Sequence, residues 1–141
     1  MAYDLITRNG YNMYDMASML QKAIRRCDVD HAGFAAYELY ESYNDYLWRR
    51  LLIISCEDCY GIMTKEIMAL KQADEYINKK RKKSEKDPIA LAKAVTLLCY
   101  ARKNRDACYV ACEFMLPDRK LDPMEIDAKD ITKIKIKQEL P

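Results

Sequence analysis

Four of the six cysteines come in two close pairs, Cys56-x-x-Cys59 and Cys108-x-x-x-Cys112. Four thiolates are one ligand set of a tetrahedral structural zinc site, but such sites place at least one pair on a turn or knuckle. Both pairs here fall within segments that read as helices. The pattern therefore fits buried thiols, behaving as small apolar side chains, better than a metal centre. A thioredoxin-like redox pair fails for want of the surrounding strand–helix pattern. His31 is the single histidine and stands beside Asp30. Nucleophilic catalysis needs a base oriented by a third group, and a histidine at a helix start fits the first helical turn more simply. A phosphate-binding loop needs Gly-x-x-x-x-Gly-Lys-Ser/Thr so that backbone amides can approach phosphate closely. None of Gly10, Gly33 and Gly61 belongs to such a motif. No catalytic residue, metal or cofactor is assigned, and the chain reads as a non-enzyme.

The remaining chemistry is charge. Lys79, Lys80, Arg81, Lys82 and Lys83 form an unbroken basic run, extended by Lys86, and Arg102, Lys103 and Arg105 form a second, smaller cluster. Phosphate neutralisation by such groups gives salt-dependent, sequence-independent nucleic-acid binding. The alternative is a solvated loop balanced by Glu85 and Asp87. The eleven tyrosines invite a base-stacking reading. Tyr37, Tyr40 and Tyr43, spaced by three, fit helix packing or a subunit interface equally well. Arg50 and Glu57 are seven residues apart, so on a helix they share a face about 10 Å apart along the axis. They are either a contact point for another subunit or a polar seam pairing with neighbouring helices of the same chain; in both cases charges on an apolar helix need partners.

The elements that position these groups read as helices. Three glycines and four prolines in 141 residues leave few breakers. Asn12 caps a first helix to about Arg26. Asp28 and Asp30 form the break, with Asp30 as the cap of a second helix to about Tyr43. Asn44 or Asp45 opens a third, ending near Tyr60 with Gly61 as its stop. Tyr46, Leu47, Trp48, Leu51, Leu52, Ile53, Ile54, Cys56 and Cys59 make that helix apolar almost all round, which marks it as central and most buried. Thr64 caps a fourth helix, with Ile67, Met68, Leu70, Ala73, Tyr76 and Ile77 on its apolar side. Asp87-Pro88 starts a fifth, and Asn104 or Asp106 opens a sixth, ended by Pro117. From residue 121 onward the chain is rich in charge, with nine charged residues of 21, and residues 133–138 alternate like an edge strand.

Half the residues are hydrophobic and a third charged, a globular balance for one domain with a real core. A formal net charge of +2 puts any nucleic-acid argument on local clustering. The N-terminus carries Asp4 and Arg8 and no apolar run, and no stretch reaches membrane-span length. The expectation is a soluble cytoplasmic protein, with no membrane partner, organised as an irregular arm over residues 1–11, an all-α domain of about six helices over 12–116, and a charged tail over 117–141.

Two segments carry a resemblance. Tyr14, Asp15, Ser18, Leu20, Lys22, Ile24, Arg25, Asp28, Asp30 and Ala32 reproduce a Tyr-Asp, Ser-x-Leu-x-Lys-x-Ile-Arg, Asp-x-Asp, alanine-rich pattern. Arg49-Arg50-Leu51, five residues, then Glu57-Asp58 follow in order, and Ala90, Lys93, Ala94, Val95, Leu98 and Lys103-Asn104 match later elements. This closely resembles the region just after the ATPase module in MgsA/RarA-type AAA+ ATPases. These are proteins of replication forks and recombination, related to clamp loaders. Departures are Arg26 where the family favours glycine, a Cys59-Tyr60-Gly61 stretch one residue longer than usual, a shorter connection before Arg49, and no His-Thr element in the tail. The resemblance implies a clamp-loader-collar-like oligomerisation domain without the motor. Its expected partners are a second copy, or an AAA+ ATPase or other replication protein, with DNA nearby. Tyr14, Asp15, Lys22, Arg25, Arg49, Arg50, Glu57 and Asp58 are its candidate interface or structural residues.

Overall fold

A computed structural model describes residues 5–61 and 63–115. Six α-helices account for most of them: α1 Met13–Arg25, α2 Val29–Tyr40, α3 Asn44–Asp58, α4 Met63–Ile77, α5 Ile89–Tyr100 and α6 Asp106–Met115. A single 3-10 turn, Lys83–Glu85, interrupts the α4–α5 connection. No strand occurs among the described residues, only the isolated bridges Ile6–Asn12 and Cys59–Lys103. The expected end of α6 at Pro117, the edge-strand pattern at 133–138 and the whole 117–141 tail lie outside the described residues.

Helices α1 to α5 pack into one bundle. Helix α3 touches α1, α2, α4 and α5, and so does α5 touch each of the others, whereas α4 meets only α3 and α5. The core joins Leu20 and Ile24 of α1, Leu39 of α2, Leu47, Trp48, Leu51 and Ile54 of α3, Ile67 of α4, and Leu98 of α5. Helix α3 is thus central, but not apolar on all sides: Cys56 is exposed, and Leu52 and Ile53 are only half-buried. The apolar side expected for α4 is largely surface, with Met68, Tyr76 and Ile77 exposed, because that helix lies at the edge of the bundle. Among the described residues the division between two units falls inside α6, after Tyr109, and that helix has no buried residue.

Helix boundaries follow local hydrogen bonding. Asn12 caps α1, its side chain accepting from the backbone N–H of Tyr14 and Asp15. At the other end Cys27 takes the left-handed conformation, φ 56°. Its N–H reaches Ile24 O (3.1 Å) and that of Asp28 reaches Ala23 O (2.9 Å), the paired bonds of a Schellman stop. This tight reversal makes Asp28, not Asp30, the cap of α2, with Oδ1 accepting from His31 N (3.2 Å). A β-carbon at a left-handed position costs about 1–2 kcal/mol, so Cys27→Gly is expected to stabilise the domain by about 0.5–1 kcal/mol after its larger chain entropy is offset. Urea unfolding checks this, and a destabilised variant would contradict it.

Helix α3 stops at Asp58, earlier than expected. Residues 59 and 60 leave the helix to pair with the segment before α6, where Tyr60 N donates to Arg102 O (2.8 Å). Thr64 lies inside α4 and does not cap it. Residues 5–12 form a tight loop. Met13 N donates to Leu5 O, Thr7 N to Tyr11 O, and Gly10 turns the chain at φ 86°. Glu38, only 2% exposed on α2, anchors that loop through Thr7 Oγ1 (2.7 Å) and Asn9 Nδ2.

Candidate interaction site

The charges of α3 meet α1 in a polar seam. Gln21 sits on the buried face of α1, between Ala17 and Ile24, and bridges the expected pair. Its Oε1 accepts from Arg50 (2.7 Å), while its Nε2 donates to Glu57 Oε2 (2.6 Å) and Asp58 Oδ2 (2.9 Å). One helical turn on, Arg25 Nε donates to Asp58 Oδ1 (2.9 Å), and Arg105 Nε approaches the same oxygen at 3.6 Å. Asp58 is fully buried and its backbone oxygen accepts from Asn104 N (2.9 Å). The carboxylate therefore joins α1, α3 and the start of α6 at one point. Arg50 Nε is buried without a partner among the described residues.

Arg25, Arg50, Glu57 and Asp58 are thus occupied inside the chain, whereas Tyr14, Asp15, Lys22 and Arg49 are exposed. Asp15, Ser18, Lys22, Arg26, Asp28 and His31 line an open depression of about 540 Å³ on the outer side of α1 and the α1–α2 turn. His31 Nδ1 lies 2.7 Å from Asp28 Oδ2. The hydrogen bonds from the His31 backbone and ring hold the Asp28 carboxyl below its ordinary value.

The basic groups divide in the same way. Lys103 Nζ donates to Cys99 O (2.8 Å) and Ala101 O (2.7 Å), capping the end of α5, and lies 3.9 Å from Cys27 Sγ. Arg105 serves Asp58 and covers the Tyr109 ring at 5.5 Å; Arg102 covers the Tyr60 ring at 5.3 Å. Arg102 and Arg105 remain exposed alongside these contacts, and Lys79, Lys80, Arg81, Lys82 and Lys83 are all exposed. Beneath them lies a second buried carboxylate, Asp74. It accepts from the Tyr40 hydroxyl and from Asn78 Nδ2 (3.2 Å), and pairs with Lys86 at 3.8 Å. Asn78 in turn accepts from Asp87 N (2.7 Å), fixing the far end of the basic loop.

Cys27, Cys56, Cys59, Cys99 and Cys108 are free thiols. Cys56 is exposed on α3, whereas Cys59, beyond the helix end, turns inward toward Leu98 O. Burial pushes the Cys59 thiol up, and the Cys99 thiol up to about 11, against the opposing pull of Lys103. Burial thus works against forming the thiolate that nucleophilic or metal-binding chemistry requires. Among the described residues no three His, Cys, Asp or Glu side chains are grouped to hold a metal ion.

Gln21, Glu38 and Asp74 were not singled out from sequence. Each is a polar residue at an apolar position of its helix: Asp74 falls seven residues after Ile67, and Gln21 four after Ala17. That register is the signal that marks a buried polar anchor. No helix of the described residues is long and apolar enough to cross a membrane. No protein-family profile matches the chain, and no curated protein matches it at a significant level.

Proposed function

We propose that this chain is a non-catalytic assembly module of the clamp-loader-collar type, similar to the post-ATPase domain of MgsA/RarA-type ATPases and acting in cytoplasmic DNA replication or repair. The observation that carries this reading is the division of the resembling residues. Arg50, Glu57 and Asp58 converge on Gln21, Arg25 adds its bond to Asp58, and together they link α1 to α3, leaving Tyr14, Asp15 and Lys22 outward on α1. A rigid helix pair presenting an aromatic anchor, with Asp15 and Lys22 beside it as rim groups, suits the core-and-rim anatomy of a subunit contact. Tyr14 is 58% exposed and edge-packed on Tyr46, so its ring is held in place without being covered.

Light scattering coupled to size-exclusion chromatography tests this. The expected result is a mass that rises with protein concentration and falls back to monomer in Tyr14→Ala and Lys22→Glu, with unfolding midpoints unchanged. A strict monomer at high concentration, alone and with an AAA+ partner, rejects it. The exposure of residues 79–83 favours the alternative reading, a direct nucleic-acid-binding helical module that uses this basic run.

A further inference from the structure

The basic run does not stand alone. Its last member, Lys83, lines two adjoining depressions with Arg49 of α3 and Arg8 of the N-terminal loop. The larger, about 560 Å³, is walled by Tyr43, Tyr46, Arg49, Lys83 and Lys86. The smaller, about 120 Å³, is walled by Arg8, Tyr37 and again Lys83 and Lys86. Glu41 and Asp45 supply the opposing charge, and Glu41 is already engaged by Arg8 at 3.9 Å. Lys86 is committed to Asp74 below and to the Tyr40 ring at 4.1 Å, so it acts as a fixed wall. Arg49 and Lys83 are exposed and in no ion pair among the described residues. They are the cations left to take a ligand.

Aromatic faces accompany them. Tyr46 stands one turn before Arg49 on α3 and packs edge-on against Tyr14 at 6.2 Å. On the other side Tyr37 is 45% exposed, with the Arg8 guanidinium over its ring at 5.2 Å. Tyr37 also stacks on Tyr40 at 6.2 Å, and Tyr46 is half-buried against the core, so both rings are held in place and offer a strand only their uncovered parts. Cations alternating with such fixed aromatic rings match an unpaired strand, whose phosphates and bases are both reachable. A duplex offers the phosphates but keeps its base faces stacked inside, where these rings cannot reach them.

We propose that Arg49 and Lys83, flanked by Tyr46 and Tyr37, form a single-stranded nucleic-acid track that continues into Lys79, Lys80, Arg81 and Lys82. It rests on the nucleic-acid reading of the basic run and adds to it three elements distant in sequence: the N-terminal loop, α2 and α3. Arg49 then serves a ligand and not the subunit contact for which its resemblance had marked it.

Fluorescence anisotropy tests this with the full chain and a labelled thymidine oligonucleotide of about 16 nucleotides, a matched duplex and an abasic strand. The single strand is expected to bind at least about tenfold tighter than either competitor, with log affinity falling linearly in log salt by about 0.7 per phosphate neutralised. Arg49→Glu and Lys83→Glu are each expected to weaken binding by about tenfold and to flatten that slope, as loss of a phosphate contact does. Lys65→Glu, an exposed lysine on α4, is the control and is expected to leave both unchanged. If Arg49→Glu binds normally while neutralising residues 79–82 abolishes binding, the composite track is overturned and the simple basic run survives. Duplex preference, or equal loss in Lys65→Glu, also overturns it. No binding at low salt removes the track and the run together.

Discussion

Replacing Arg25 and Arg105 together with methionine is expected to cost about 3–5 kcal/mol of folding stability, the usual result of stripping a buried carboxylate of its cations. Asp58 is fully buried, and these two guanidinium groups are its only ion-pair partners among the described residues. Methionine keeps most of the apolar volume of the arginine stem, so the loss reads on charge and not on a cavity. Each single variant is expected to cost less than half the double, because the remaining arginine still faces the same oxygen. The effects are therefore non-additive. Against a typical domain stability of about 5–15 kcal/mol, the double variant stands close to unfolding at room temperature. Adding Asp58→Asn separates the causes. It removes the stranded charge while keeping an oxygen for Gln21, and is expected to recover at least about 1 kcal/mol. Urea unfolding with an unchanged m-value measures all four variants. Additive single losses, or no recovery with Asp58→Asn, would show that the arginines act by packing alone.

The contrast between Arg50 and Gln21 explains what was legible in the sequence. Arg50 and Glu57 announce themselves as charges on an apolar helix, so their need for partners was readable. Their partner was not, because a neutral glutamine on α1 carries no charge signature, and the register that pairs two helices is set by packing across the bundle. Helix existence was readable for the same local reason that Asn12 was: caps and apolar periodicity act within one turn. Boundaries failed where a distant segment intervened. Helix α3 ends at Asp58 because residues 59 and 60 pair with residues 102 and 103, more than forty positions away. The structural duties of the second basic cluster were hidden in a similar way. Lys103 and Arg105 look like surface charge in sequence, yet they cap α5 and neutralise Asp58. The run at 79–83, which lies in a connection between helices, keeps in the fold the exposure that its composition implies.

Tyr40→Phe is expected to destabilise the domain by about 1.5–3 kcal/mol, the range for losing a hydrogen bond to a charged group. Its hydroxyl donates to Asp74, accepts from Asn78 Nδ2 (3.2 Å), and lies 3.3 Å from Asp87 O. Phenylalanine preserves the ring and leaves Asp74, only 1% exposed, with Asn78 and Lys86 alone. The same hydroxyl gives the effect a pH signature. Burial first, and then the Asp74 carboxylate, raise the Tyr40 phenol above its ordinary value of 10.0. A group whose folded pKa is raised contributes stability that is intact below the unfolded pKa and is lost as pH climbs toward the folded one. Above about pH 10 the unfolded chain releases the phenolic proton while the native chain retains it. Native stability then falls by up to about 1.4 kcal/mol per pH unit from this one group. Tyr40→Phe lacks that proton, so its stability deficit relative to the parent is expected to be constant from pH 6 to about 9.5 and to narrow above it. The other tyrosines, common to both proteins, cancel in the comparison. A deficit that stays constant to pH 11 would mean that the buried Asp74 network does not hold the phenol protonated. A deficit absent at pH 7 would mean that Asn78 and Lys86 satisfy Asp74 without it.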